Sequence, residues 1–422
     1  METVCLVSRK ICMDEKISKE EHAEAVSLIE SADALYAGTI YQKIKEIVPA
    51  TYIGSGKLQE LKERLDGLEG ITILFNGDLS PSQTLNISAA LGDIKVIDRT
   101  TLILDIFAKR AQSSEGKLQV ELAQLKYIYP RLKGKGSALS KLGGGIGTRG
   151  PGETQLETDR RHIRLRIDYL EEKLRALEKH RKLATERRAK NAAKTISLVG
   201  YTNTGKSTLL NALTDADVYA ENKLFATLDP TSRALNIGGF DFIMTDTVGF
   251  LQSLPHNLIE AFQSTLESAL HCDLALIVCD ASGNFERQLE TTLSTLRELR
   301  FEKPYLIVMN KSETIEDRTV YPRDSIFISA KYGQGLEDLK TVILSFFRSR
   351  TSEIRLKIPY DKLSAYGKLK KYAAEKSFSY RDDALYVRAL VENIHLGIFK
   401  EFMIYMGTPE RIFFKSGKRE KT

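Results

Sequence analysis

Residues 194–207 read KTISLVGYTNTGKS, from Lys194 to Ser207. Thr195 to Val199 is a short β-branched and apolar run. Gly200 opens a loop, and Ser207-Thr208-Leu209-Leu210 begins a helical pattern. Gly200, Gly205, Lys206 and Ser207 stand at the spacing GxxxxGK[ST], which predicts a strand, a loop wrapping a nucleotide's phosphates, and a helix. Glycines let successive backbone N–H groups turn inward, and the helix N-terminus behind them adds partial positive charge. Lys206 is expected to reach the terminal phosphates, and the Ser207 hydroxyl to hold Mg²⁺.

Downstream, the signals fall at strand ends. Phe240 to Thr245 predicts a strand running into Asp246-Thr247-Val248-Gly249, a DxxG placed 40 residues after Lys206. Asp246 is expected to hold the metal through water, and the Gly249 N–H to sense the γ-phosphate. Leu274 to Cys279 is a continuous apolar run, as a parallel sheet covered on both faces requires. Tyr305 to Met309 leads into Asn310-Lys311-Ser312-Glu313, and Ile326-Phe327-Ile328 into Ser329-Ala330-Lys331. DxxG and SAK are each short enough to arise by chance. In this order, at the carboxyl ends of parallel strands, they specify a guanine-nucleotide switch domain. A P-loop kinase or ATPase has no need of the last two.

Upstream, residues 1–111 alternate short apolar runs with helical segments. Ile71 to Phe75 and Ile94 to Ile97 predict strands, Leu58 to Leu68 a helix, and the whole an α/β organisation. Tyr52 to Lys57 (YIGSGK) lacks the full phosphate-loop spacing and is read as a structural turn. From Gln112 to Tyr129, Leu118, Leu122, Leu125 and Tyr129 share one helix face, and Pro130 ends it. Leu156, Ile163, Ile167, Leu170, Leu174 and Leu177 form a heptad seam, so the two helices are expected to pair as an antiparallel arm. Between them, Arg131 to Gly150 holds seven glycines, five Lys/Arg and no acid. Arg131, Lys133, Lys135, Lys141 and Arg149 have no local counter-charge. One reading is a solvated disordered loop. The other is a tip that orders on RNA without aromatic stacking. At the far end, Ile354, Leu356 and Ile358 alternate, as do Leu385, Val387, Ala389 and Val391, predicting strands of a small basic module.

At 422 residues the chain exceeds one core, and the expected segments are 1–111, 112–193 (with the loop at 131–152), 194–350 and 354–422. The net charge of +6 is unevenly spread: −4 over 1–111, +10 over 112–194, −7 over 195–353 and +7 over 354–422. An acidic nucleotide module flanked by basic ones points to a polyanionic partner, because one nucleotide needs only a lysine and a metal. Cys5, Cys12, Cys272 and Cys279 make no CxxC pair, so neither zinc nor disulfides are implied and a reduced, cytoplasmic setting is expected. Neither a signal peptide nor an apolar run of membrane-spanning length is read.

The chain resembles HflX, a GTPase family related to Obg that binds ribosomes. The most specific portions are GGGIGTRGPGETQLETDRR (Gly143 to Arg161), DRTTLILDIFAKRA (Asp98 to Ala111) and EGKLQVELAQLKY (Glu115 to Tyr127). The resemblance implies an α/β multidomain protein. Its P-loop GTPase domain, a mostly parallel doubly wound sheet, is preceded by an α/β domain with a long helical hairpin arm and followed by a small α+β domain. It also implies a single-copy cytoplasmic factor that binds the large ribosomal subunit and its rRNA and splits stalled or idle ribosomes while hydrolysing GTP to GDP. The alternative is a nucleotide-stabilised RNA-binding, ribosome-assembly or antibiotic-protection factor in which hydrolysis is not the output.

Carried onto this sequence, Gly200, Tyr201, Thr202, Asn203, Thr204, Gly205, Lys206, Ser207 and Thr208 form the phosphate loop. Thr227, within Phe225-Ala226-Thr227-Leu228-Asp229-Pro230, is the switch threonine of the Mg²⁺ shell, with Phe225 beside the nucleotide and Thr231 as fallback. Asp246 and Gly249 form the second switch, while Asn310, Lys311, Glu313, Ser329, Ala330 and Lys331 form the guanine pocket. Lys206, Thr227, Asp246 and Gly249 carry the catalytic expectation. Arg131, Lys133, Lys135, Lys141, Arg149, Arg160 and Arg161 carry the RNA expectation. Asn203 suggests K⁺ near the β/γ-phosphates, as in related GTPases with asparagine there. Two positions depart from the usual pattern. Phe250 stands where Ras-like switches carry a water-orienting glutamine, so slow intrinsic hydrolysis is expected. Glu313 stands where NKxD has aspartate. Simple accommodation of guanine is the leading reading, and relaxed base choice with weak ATP use the alternative.

Overall fold

The apolar run Ile71–Phe75 forms β3 and lies inside an all-parallel sheet of order β2-β1-β3-β4. The computed structural model describes residues 2–10, 15–43, 46–67, 70–92, 94–134, 151–189, 194–214, 224–225, 228–251, 271–315 and 317–407. They divide into two compact units. The first unit runs through β1 (Thr3–Lys10), α1 (Glu15–Ser31), β2 (Leu35–Lys43), α2 (Ser55–Leu65), β3, α3 (Pro81–Leu91), β4 (Lys95–Asp98), α4 (Arg99–Arg110), α5 (Ser114–Ile128) and, as far as Leu177, the long α6 (Pro151–Ala189). The YIGSGK segment is the turn into α2: Gly54 caps the helix, and Lys57 Nζ donates to Glu60 at 2.6 Å.

Three helix starts in this unit carry side-chain caps. Ser80 and Gln83 make a reciprocal capping box at α3, where Pro81 holds the first position. Asp98 caps α4 by accepting from the Thr101 N–H at 2.9 Å, and Ser113 caps α5 by accepting from the Gly116 N–H at 2.8 Å. Each such cap contributes about 1 kcal/mol. The two arm helices meet along part of their length. Arg166 straddles Glu121 with bonds of 2.7 and 2.9 Å, Lys126 meets Glu171 at 2.7 Å, and Leu170 is fully buried. The most buried face of α5 is Gly116, Gln119, Val120, Ala123 and Tyr127, together with Leu122. Leu118, Leu125 and Tyr129 are only half-buried, because the helix packs on two sides rather than one.

The segment at Leu224, Phe225, Leu228 and Asp229 also belongs to the first unit. Phe225 is buried, its ring edge-on to Phe107 with centroids 4.6 Å apart, and Leu228 is buried as well. The Leu224 N–H donates to Ser31 Oγ at 2.9 Å. Asp229 accepts from the N–H groups of Gln112 (2.9 Å) and Ser113 (2.8 Å) and from the Ser113 hydroxyl.

The second unit carries the six-stranded sheet β10-β9-β8-β5-β7-β6, parallel except for the β6–β7 pair. Its elements are β5 (Lys194–Gly200), α7 (Lys206–Thr214), β6 (Thr231–Ile237), β7 (Phe240–Asp246), β8 (Leu274–Asp280), α8 (Phe285–Glu298), β9 (Tyr305–Asn310), β10 (Ser325–Phe327) and α9 (Leu336–Arg348). Buried side chains cover both faces. Leu198, Phe242, Leu276, Val308, Ile343 and Phe346 pack on one side, and Val199, Phe250, Ile277, Cys279 and Met309 on the other. Burying each large apolar side chain contributes about 1.5–3 kcal/mol. After β5 the chain goes to one side of that strand and returns on the other, so the crevice at its carboxyl end is a topological switch point.

The antiparallel sheet β12-β13-β11-β14 completes this unit, with β11 (Thr351–Ile358), α10 (Ser364–Tyr372), β12 (Ala373–Tyr380), β13 (Leu385–Glu392) and β14 (Met403–Met406). The inward Ile354, Leu356, Ile358, Val387 and Val391 follow the predicted alternation. Among the described residues, no helix is long and apolar enough to cross a membrane.

Candidate functional site

The expected phosphate loop leaves β5 at Gly200, whose φ of +153° and close approach to the Val278 carbonyl leave no room for a Cβ. The sequence of the loop explains its turns: Asn203 (φ +58°) and Gly205 (φ +88°) adopt left-handed conformations. The Thr204 hydroxyl donates to the Tyr201 carbonyl at 3.0 Å. Lys206 opens α7 and folds back over the loop, Nζ donating to the Tyr201 carbonyl at 2.7 Å and the Gly200 carbonyl at 3.3 Å. Burial lowers its pKa to about 8, against the opposing pull of Asp246. The Ser207 hydroxyl donates to Asp246 Oδ2 at 2.6 Å, joining the first motif to the second.

The DxxG segment lies along the loop. The Phe250 N–H donates to the Gly200 carbonyl at 3.0 Å, and the Thr202 N–H donates to the Phe250 carbonyl at 2.8 Å. A Cβ on Gly249 would stand 2.7 Å from Thr202 Cα and 3.0 Å from Lys206 Nζ, so only glycine fits. The Phe250 ring is 1% exposed and points into the core with Val199, Ile277 and Met309. Position 250 thus offers the phosphates no side chain at all.

The guanine-side motifs converge on the same loop. Asn310 is buried, its Nδ2 donating to the Thr204 carbonyl at 2.8 Å while its Oδ1 accepts from the Ala330 N–H at 2.9 Å. One amide therefore ties phosphate loop, NKxE and SAK together. Lys311 (φ +60°) lays its Nζ on the Asn203 carbonyl at 3.0 Å and on Asp280 Oδ2 at 2.5 Å. Glu313 is exposed on a 3₁₀ turn, Ser329 is fully buried, and Lys331 is exposed beside Tyr332. Asp280 and Gly335, whose Cβ would strike the Phe327 carbonyl, were not signalled by any motif. Cys279, pushed up to about 12 by burial and by Asp280, remains a protonated core thiol.

Two expected site residues have partners within the first unit. Phe225 packs in the core of the first unit, because a buried aromatic contact with Phe107 outweighs exposure at a loop. Arg131 does not project freely toward RNA. Its guanidinium stacks on Tyr127 at 3.4 Å and donates to the carbonyls of Tyr127 and Leu79, both at 2.9 Å. Asp98, 2% exposed, faces it at 3.5 Å and also accepts from the Tyr127 hydroxyl. Burial and that carboxylate push the Tyr127 phenol far up. Arg160 is half-buried over the Tyr129 ring at 5.3 Å, and Arg161 is exposed. Thr227, Lys135, Lys141 and Arg149 lie outside the described residues, as does the side chain of Lys133.

Comparison with known proteins agrees with this arrangement. Residues 195–311 match the family described as 50S ribosome-binding GTPase, residues 19–108 the GTP-binding GTPase N-terminal family, and residues 110–188 the GTP-binding GTPase middle region. GTPase HflX of Caldanaerobacter subterraneus is 48% identical over 378 residues, 85% of this chain and 88% of that protein. The chain belongs to the HflX GTPase family. GTPase HflX of Escherichia coli is 41% identical over 350 residues, covering 81% of this chain and 82% of its own. A GTP-binding protein from Sulfolobus solfataricus, solved in complex with GDP, is 27% identical with a TM-score of 0.46, covering 82% of this chain and 98% of its own. As an HflX GTPase the chain binds guanine nucleotide and hydrolyses GTP.

Proposed function

We propose that this chain is a ribosome-dependent GTPase that binds the large ribosomal subunit and splits stalled or idle ribosomes, in the cytoplasm and as a single copy. The observation that carries the reading is the match of residues 195–311 to 50S ribosome-binding GTPases. A site whose residue after DxxG is turned into the core supports it, since such a site lacks the usual water-orienting glutamine, hydrolyses slowly by itself and leaves room for stimulation by a partner. Ser207 and Asp246, already paired at 2.6 Å, would hold Mg²⁺ with Thr227, and bound Mg²⁺ would offset charge on the β- and γ-phosphates. Asn203 would contribute to a K⁺ site. Exchanging K⁺ for Na⁺ is then expected to slow hydrolysis, and equal turnover in the two salts removes that part.

In this reading, residues 1–111 and the arm 112–193 reach ribosomal RNA, with Lys133, Lys135, Lys141, Arg149, Arg160 and Arg161 as phosphate contacts. Arg131 is reserved for the fold. Module 194–350 acts as timer, and 354–422 adds a second basic contact. Splitting draws on binding energy and hydrolysis permits release, so a non-hydrolysable GTP analogue supports one round of splitting. The test is co-sedimentation with large subunits under GTP, GDP and the analogue, with phosphate release measured with and without subunits. Retention under GTP and analogue, loss under GDP and stimulated phosphate release are expected. Equal sedimentation in all three states refutes the proposal.

A further inference from the structure

Phe250 leaves the reaction without the usual group to orient water, and the phosphate loop holds a side chain that could replace it. Thr202 lies in the loop itself, between Gly200 and Lys206, and is 5% exposed. Its Oγ1 is buried and has no hydrogen-bond partner. Its Cα and Cγ2 pack against Gly249, 2.7 and 2.8 Å from where a Cβ would be, and Lys206 Nζ stands 3.0 Å from the same point. Thr202 therefore packs on the DxxG glycine, at a point that the loop lysine approaches as well, and these are the two groups expected to grip the γ-phosphate. A side chain fits there because the Phe250 ring is withdrawn into the core, while the Phe250 carbonyl accepts the Thr202 N–H at 2.8 Å. An unpaired buried hydroxyl weakens a fold, whereas valine of the same shape does not. The hydroxyl thus finds no partner within the fold itself.

We propose that the Thr202 hydroxyl is a catalytic group of this GTPase: its oxygen accepts a hydrogen bond from the attacking water while its proton is donated to a γ-phosphate oxygen. In the step it assists, the water oxygen bonds to the γ-phosphorus as the bond to the β–γ bridging oxygen breaks. The bridging oxygen leaves with its electron pair on GDP, and a water proton passes to a γ-phosphate oxygen, yielding inorganic phosphate. Thr202 keeps its own proton throughout. It contributes through orientation and through a hydrogen bond that strengthens as charge develops.

The test compares Thr202→Val, Thr202→Ser and Thr202→Ala in the full chain by single-turnover phosphate release, GDP binding, GDP–aluminium fluoride binding and melting of the nucleotide-free protein. For Val, hydrolysis is expected to fall about 10- to 100-fold, as for loss of one transition-state hydrogen bond. Binding of the fluoride complex is expected to weaken, while GDP affinity stays within about twofold and the melting temperature is equal or higher. Ser retains the wild-type rate, and Ala, which supplies the kinetic result should Val not fold, falls as Val does. Wild-type hydrolysis by Val or Ala overturns the proposal. So does an equal loss of GDP and GDP–aluminium fluoride affinity, or a lower melting temperature for Val, because either result gives the hydroxyl a structural partner instead.

Discussion

Asp229→Asn is a sharp probe of how Asp229 is held at the start of α5. The carboxylate accepts the N–H groups of Gln112 and Ser113 on Oδ2, at 2.9 and 2.8 Å, and the Ser113 hydroxyl on Oδ1. It also places negative charge at the start of α5, where the helix dipole favours it. Because these bonds are solvent-accessible, each is worth about 1 kcal/mol rather than its buried value. The amide oxygen can keep the two N–H bonds as neutral contacts, but its NH₂ cannot accept from the Ser113 hydroxyl. The net loss is therefore about 1–2 kcal/mol, or about 5- to 30-fold more opening of the segment. Amide hydrogen exchange reads this directly. Gln112 and Ser113 should exchange faster by that factor. Leu224, whose N–H rests on Ser31 Oγ, should follow because it belongs to the same docked segment. Leu276, in the centre of the six-stranded sheet, should not change. Wild-type exchange at Gln112 and Ser113 would refute the assignment of Asp229 as the anchor.

Lys206 makes nucleotide affinity pH-dependent. Its pKa in the nucleotide-free fold is about 8 against an ordinary 10.5, so the unfolded chain holds more protons between those values. The stability of the nucleotide-free fold thus gains with rising pH in that window. Phosphate binding needs the protonated amine, so GDP affinity falls as pH rises above 8. Titration from pH 7 to 9 should give a flat dissociation constant, then weakening toward about tenfold per unit; pH-independence up to 9 contradicts it. Phe250→Gln should not speed intrinsic hydrolysis, because the side chain at this position points into an apolar core and the backbone is pinned to Gly200 and Thr202. It should instead destabilise the protein by about 2–4 kcal/mol, seen in urea unfolding, and faster turnover with unchanged stability would contradict this. Glu313→Asp should leave the GTP/ATP affinity ratio within about twofold, because the carboxylate sits on an exposed turn free to adjust. A large gain in the ratio would establish relaxed base choice by the glutamate.

Local signals were legible in the sequence wherever a contiguous backbone motif carries the chemistry. GxxxxGKS, DxxG, NKxE and SAK each lie in one loop, and the strands that present them are short apolar runs with turn residues at their ends. Spacing alone placed Lys206, Ser207, Asp246 and Asn310 in one site, and the structure joins them through Ser207–Asp246 and Asn310–Thr204. The same logic found the alternating strands of the last sheet, and of the proposed seam of the arm it found Leu170, which is fully buried. It did not signal the edge strands Thr231–Ile237 and Ala373–Tyr380, whose polar positions carry little periodic pattern.

What only the tertiary structure decided were the partners chosen across long separations. Phe225 stands in a motif that reads as nucleotide-binding, and its ring packs edge-on against Phe107. Arg131 opens a basic loop, yet Asp98, Leu79 and Tyr127 claim its guanidinium. Asp229 looks like an ordinary loop acid until Gln112 and Ser113 arrive to be capped. The direction of the Phe250 ring follows from the same cause. A side chain of either polarity takes the environment that desolvates or satisfies it best, and that environment is assembled from segments far apart in the chain. Motif spacing constrains the backbone locally, whereas competition for buried surface and hydrogen-bond partners is settled only when the whole chain has folded.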